Sequence, residues 1–195
     1  MDLPSGPYQS PEEPFVAAVH NAGHALGCLA TGRSLQSAVT GQVCRGNPLG
    51  LTRGSDRFSW AVVCWSGPAA EAVLATRSGT SVREAAEWIC ALYQAGLSGS
   101  PPSGDYPGLA ATDPAVLAVA LSVADANWTG IERIASVLSG ATRSGHRVSE
   151  VSPTLVRDLI GSRDGADIAA AFGIWEPAIA EVKVYRRQPA GPRWP

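Results

Sequence analysis

Two histidines four residues apart, His20 and His24, lie inside the apolar segment Phe15-Val-Ala-Ala-Val-His-Asn-Ala-Gly-His-Ala-Leu-Gly-Cys28. A helix is the conformation that gives this spacing a use. Positions i and i+4 share one helical face, with roughly 5–6 Å between their Cβ atoms, so the two imidazoles can converge on one small cation. The flanks argue for the same element. Pro11-Glu12-Glu13-Pro14 combines prolines suited to a first turn with carboxylates suited to its positive end, Ser10 is placed to cap it, and Gly32 offers a stop after Thr31. Gly23 and Gly27 each cost a helix about 1 kcal/mol relative to alanine. Their presence implies a close neighbour on this face, either a packed helix or a ligand.

In the HExxH form of such a pair, the histidines hold Zn²⁺ and the glutamate after the first is the general base for the metal-bound water. Here Asn21 occupies that position. An asparagine hydrogen-bonds a water but cannot take its proton. Two later stretches belong in the same argument, Gly67-Pro-Ala-Ala-Glu71 and Ser103-Gly-Asp105. His20-Asn-Ala-Gly-His24-Ala resembles the HEAGHA signature of the FtsH-type zinc metallopeptidases. Gly67 to Glu71 is similar to that family's Gly-x-Ala-Ala-Glu turn, and Ser103 to Asp105 is similar to its Ser-x-Asp element. The three similarities span residues 15 to 106.

That resemblance implies a mainly α fold, a helical zincin-like metallopeptidase domain with a small β-hairpin or short sheet beside the zinc helix. It implies Zn²⁺ held by His20, His24 and Asp105, with Glu71 orienting a ligand imidazole through its other ring nitrogen. Asp113 rivals Asp105 as the third ligand, although Thr112-Asp113-Pro114 also reads as an N-cap. Family members carry a membrane anchor and an ATPase module, and neither is expected in these 195 residues. The sequence leaves open a separate ATPase partner and the oligomeric state. The expected organisation is a flexible leader over 1–10, an FtsH-peptidase-like helical domain over 11–161, and a partly irregular C-terminal extension over 162–195. That extension has one short apolar segment, Ile168 to Phe172, and reads as extended or docked on the surface.

Between these motifs the chain reads as helices with two short strand candidates, Ser34–Thr40 and Gly50–Thr52, around a Gly46-Asn47-Pro48 turn. Ser55 to Arg77 reads as helical, interrupted at Gly67-Pro68. Ser81-Val-Arg-Glu84 is a capping box opening a helix to Ala95 with Ala85, Trp88, Ile89 and Leu92 on one face. Residues 113 to 139 form a long helical region with a break near Asp125-Ala-Asn127. Its stripe is Leu117, Leu121, Trp128, Ile131, Ile134, Ala135 and Leu138. His146 reads as an exposed loop histidine ahead of a helix from Ser152-Pro153 to Ile160.

A formal charge of −2, with no basic cluster beyond Arg186-Arg187, argues against nucleic-acid binding. The apolar runs Trp60–Trp65 and Ala115–Leu121 fall short of the roughly 18–20 residues needed to cross a bilayer, so no membrane insertion is expected. Cys28, Cys44, Cys64 and Cys90 form no CxxC pair and read as reduced, mostly buried thiols of a cytoplasmic protein. Cys28 stands eight residues from His20, about 12 Å along a helix axis, too far to share an ion with both histidines. General acid–base assistance is worth about 10²–10⁴-fold, so a metallopeptidase-like domain with Asn21 is expected to have lost or weakened peptide hydrolysis. The alternatives are a zinc enzyme with a relocated base (Glu71, Glu12 or Glu13) acting on a small molecule or amide, and a metal-free helical binding scaffold.

Overall fold

The computed structural model describes residues 14–32, 38–39, 57–97, 115–143, 150–160 and 165–187. Among them are seven helices: α1 (Pro14–Ala30), α2 (Arg57–Arg77), α3 (Val82–Leu97), α4 (Ala115–Ala126), α5 (Trp128–Arg143), α6 (Pro153–Ile160) and α7 (Gly165–Arg187). Two short strands, β1 (Ala38–Val39) and β2 (Glu150–Val151), pair antiparallel, with Ala38 opposite Val151 and Val39 opposite Glu150. The expected hairpin arm Gly50–Thr52 lies outside the described residues. The strand that joins β1 comes from the far side of α5.

Local chemistry sets several helix ends. At the start of α3 the Ser81 backbone N–H donates to the Glu84 carboxylate (3.0 Å) and the Glu84 N–H donates to Ser81 Oγ (3.2 Å). This closes the capping box. α1 ends at Gly32, whose φ of 69° is comfortable only without a Cβ. α4 gives way to α5 at Asn127, within the expected break.

Helix α2 runs on through Gly67 and Pro68, where an interruption was expected. Pro68 has no N–H for the carbonyl four residues back, a cost of about 3 kcal/mol in a helix interior. The residues that follow offset it: Ala69, Ala70, Ala72 and Val73 are fully buried. Taken whole, Phe58–Arg77 is long and apolar enough to cross a membrane, which a count ending at Trp65 does not detect. Its apolar window is 72% buried inside this fold, as for a core helix.

α1 and α2 form the centre. α5 packs on α1, α4 on α2, α7 on α4 and α3, and α6 on α5. The stripe of the long helical region is buried as expected, with Leu117, Leu121, Ile131, Ile134 and Leu138 inaccessible to solvent. The C-terminal region departs from its reading. Gly165–Arg187 is one helix that enters the core through Ala171, Trp175, Ile179 and Val182. Trp175 is 1% exposed, and its indole N–H donates to Asp125 Oδ2 on α4 at 3.0 Å. The other Asp125 oxygen accepts from Arg77 at the end of α2, at 2.7 Å. One carboxylate thus ties three helices together. Cys28, Cys64 and Cys90 are buried and outside any disulfide, and Cys28 belongs to the core.

Candidate metal centre

The contact between α1 and α2 is built from small residues. A Cβ on Gly23 would run into the Ser66 carbonyl and the Ala70 methyl, and one on Gly27 into the Ser66 side chain. The close neighbour implied by those two glycines is therefore α2. Val63, Gly67 and Glu71 are each four apart and form one row along α2, as His20 and His24 do along α1. The rows run in opposite directions, so His24 meets Val63 and His20 meets Glu71.

Each imidazole is fixed from behind. His24 Nδ1 lies 2.8 Å from the Val63 carbonyl oxygen, which can only accept, so His24 carries its hydrogen on Nδ1. His20 Nδ1 lies 2.5 Å from Glu71 Oε1 and donates to the carboxylate in the same way. The rings are roughly perpendicular, 77° between planes with centroids 4.6 Å apart, and their Nε2 atoms approach to 2.9 Å. With both Nδ1 hydrogens committed to oxygen, the two Nε2 lone pairs face one another. That arrangement is stable only with a proton or a cation between them.

Gly67 closes one side of this gap. A Cβ there would sit 2.5 Å from His24 Nε2 and 2.7 Å from His20 Nε2. Only a residue without a side chain leaves that volume open. His24 is 4% exposed, whereas the His20 and Glu71 side chains are 22% and 23% exposed, so the pair is reached from the His20 side. Burial first, then the neighbouring His20, push the His24 pKa down to about 3, with the Val63 carbonyl acting the other way. His24 therefore stays neutral at ordinary pH, the form in which an imidazole binds a metal.

The structure brings together His20, His24 and Glu71, which are distant in sequence. Asn21, next to His20 in the chain, is buried, 5% exposed. Asp105, Asp113, His146, Glu12 and Glu13 lie outside the described residues. Among the described residues no group of three or more His, Cys, Asp or Glu side chains is arranged to hold an ion, because Glu71 is engaged behind His20 and does not face the Nε2 atoms. From sequence, Gly67 was read only as part of the Gly67-Pro-Ala-Ala-Glu71 turn and not as a wall of the imidazole pair, and the Val63 carbonyl was not identified. The four-residue row Val63, Gly67, Glu71 would have found both had the segment been read as one continuous helix. No protein-family model matches the chain, and no curated protein or solved structure does.

Proposed function

We propose that this chain is a zinc-binding, metallopeptidase-like helical domain, with His20 and His24 as ligands through Nε2 and peptide hydrolysis lost or weakened by Asn21. The observation that carries the reading is the convergence of the two Nε2 atoms, 2.9 Å apart, with each ring held at Nδ1 by an oxygen. Ligand histidines generally need such a partner, because it fixes the tautomer and raises the basicity of the metal-bound nitrogen. Glu71 fits this orienting task better than that of a relocated base, since its carboxylate lies on the far side of the His20 ring from Nε2. Zinc bound here would supply Lewis-acid polarisation and a more acidic water.

On this reading Asp105, with Asp113 as its rival, completes a three-ligand site that stays open to a peptide or small-molecule substrate. The similarity to FtsH-type peptidases belongs to the same proposal, with the zincin-like fold and a hairpin beside α1. Three buried cysteines outside any disulfide, among the described residues, support a reducing, cytoplasmic setting. The competing reading fills the gap with a proton, making His20, His24 and Glu71 a structural hydrogen-bond chain in a metal-free scaffold.

Metal analysis separates the two. One zinc per chain, lost in His20→Ala and in Asp105→Ala, is the expected result; folded protein that takes up no zinc would overturn the proposal. Asn21→Glu then tests the peptidase part, with cleavage of casein or a peptide rising well above that of the unsubstituted protein.

A further inference from the structure

A cavity lies on the other side of α1 from the imidazole pair. Leu26 stands two residues beyond His24, roughly 200° around the helix, and lines a space of about 350 Å³. The apolar walls are Leu26 and Leu29 from α1, Ile160 from the end of α6, and Ile168 from the start of α7. α5 and α6 meet closely beside it, since a Cβ on Gly130 would lie 2.9 Å from the Ile160 Cα. The volume falls at the small end of the roughly 300–1,000 Å³ typical of small-molecule pockets.

Asn127 also lines this cavity and is 5% exposed. It immediately precedes α5, where an asparagine ordinarily caps the helix by accepting a backbone N–H through its side-chain oxygen. Here the Gly130 N–H, at 2.9 Å, and the Ile131 N–H, at 3.2 Å, donate to the Asn127 backbone carbonyl instead. The side-chain amide turns back to α4 and donates from Nδ2 to the Val123 carbonyl at 2.9 Å, which fixes which end of the amide is nitrogen. Oδ1 is left with no donor among the described residues, a deficit that buried amides rarely carry. A water answers it poorly. Ordered interior waters typically make about three hydrogen bonds, and the described side chains on this wall offer only Asn127 and, exposed at the mouth, Arg157.

We propose that this cavity binds a small neutral molecule with an apolar body and one hydroxyl, the class of a medium-chain alcohol. The hydroxyl donates to Asn127 Oδ1, and the apolar body lies against Leu26, Leu29, Ile160 and Ile168. A carboxylate has no hydrogen to give that oxygen. An ammonium brings three N–H groups to a wall whose described side chains present one buried acceptor. An ether of the same size fills the volume but leaves Oδ1 unmet. The site shares no residue with the imidazole pair and does not depend on a metal there.

The test titrates the full chain, in EDTA, with 1-hexanol and with its isomer butyl ethyl ether, which has the same atoms but no hydroxyl. Binding is followed by heteronuclear NMR at the Gly130 and Ile168 backbone amides. 1-Hexanol is expected to bind saturably at one per chain and about tenfold more tightly than the ether, with hexanoate and hexylammonium no tighter than the ether. Asn127→Ala should erase the preference between the isomers; if Asn127 served only to hold the fold, both would weaken and the preference would stay. Ala30→Phe, which fills the cavity from an exposed position at the end of α1, should abolish binding of both, with circular dichroism showing the variants folded. The proposal is overturned by unsaturable 1-hexanol binding, by equal affinity of the isomers or by tighter binding of either charged analogue. A preference retained in Asn127→Ala or undiminished binding in Ala30→Phe overturns it equally.

Discussion

Replacing Gly67 with alanine puts the most direct strain on the imidazole pair. The added methyl carbon would lie 2.5 Å from His24 Nε2, 2.7 Å from His20 Nε2 and 2.8 Å from His24 Cε1. Comfortable carbon contacts begin near 3.5 Å, so the shortfall is about 1 Å. His24 has little room to move: it is 4% exposed and tied to the Val63 carbonyl. His20 can swing outward, but doing so breaks its bond to Glu71. Overpacking costs about 1–3 kcal/mol, and losing the partly exposed His20–Glu71 pair adds at most about 1 kcal/mol. The better helix propensity of alanine returns about 1 kcal/mol.

The net destabilisation is about 2 kcal/mol, a fall in Tm of about 4–8 °C for a chain of this size. Thermal unfolding followed by circular dichroism in EDTA measures it without any contribution from bound metal. A Gly67→Ala protein that unfolds at or above the wild-type temperature would refute the geometry on which the site rests. In the same variant, zinc affinity measured against a chromophoric chelator should fall by at least about 100-fold, since the two Nε2 atoms can no longer converge.

Three further outcomes are expected. Glu71→Gln should lower zinc affinity by about 10–100-fold in the chelator competition while leaving the metal-free Tm nearly unchanged, because the pair is partly exposed. His24, pushed down to about 3 by burial and by His20, binds a proton in the unfolded chain below its ordinary value of 6.5 but not in the folded one. Its contribution to stability is therefore complete above about pH 6.5 and declines as pH falls toward 3, by up to about 1.4 kcal/mol per unit. Urea unfolding of the metal-free protein between about pH 7 and pH 5 should show this slope, and His24→Gln should flatten it; an equal slope in both would refute the assignment. Asp125→Ala leaves the buried Trp175 indole N–H without its acceptor and should cost about 1–3 kcal/mol in chemical unfolding. Arg77→Ala, removing the half-exposed partner of the same carboxylate, should cost under about 1 kcal/mol.

Much of the helical framework was legible because its causes are local. The capping box at Ser81 and Glu84, the stop at Gly32 and the break at Asn127 each involve groups within about four residues of one another. The period of the apolar stripe likewise identified Leu117, Leu121, Ile131, Ile134 and Leu138 as core. The pairing of His20 with His24 on one face needed nothing beyond 3.6 residues per turn.

Readings that depended on distant partners fared differently. Pro68 looks like a helix break until the burial of the alanines beyond it is counted. The polar-rich stretch after residue 162 looks too poor in apolar residues to join a core. Ala171, Trp175, Ile179 and Val182 are spaced four, four and three apart and so share one face of α7, but only the surfaces of α3 and α4 decide that this face is buried. β1 finds its partner more than a hundred residues away, a pairing that no local signal specifies.

The sequence by itself determined which segments coil, where several of them stop, and that two imidazoles share a face, because those outcomes follow from bonds and contacts within a turn or two. Tertiary structure alone decided what stands behind and beside those imidazoles. Glu71 reaches His20 across 51 positions and the Val63 carbonyl reaches His24 across 39, because small residues let α1 and α2 pack at near-backbone distance. The physical reason is that helix propensity is summed along the chain, whereas a tautomer, the direction of a ring nitrogen and an open volume at Gly67 are set by whatever surface the packed neighbour presents.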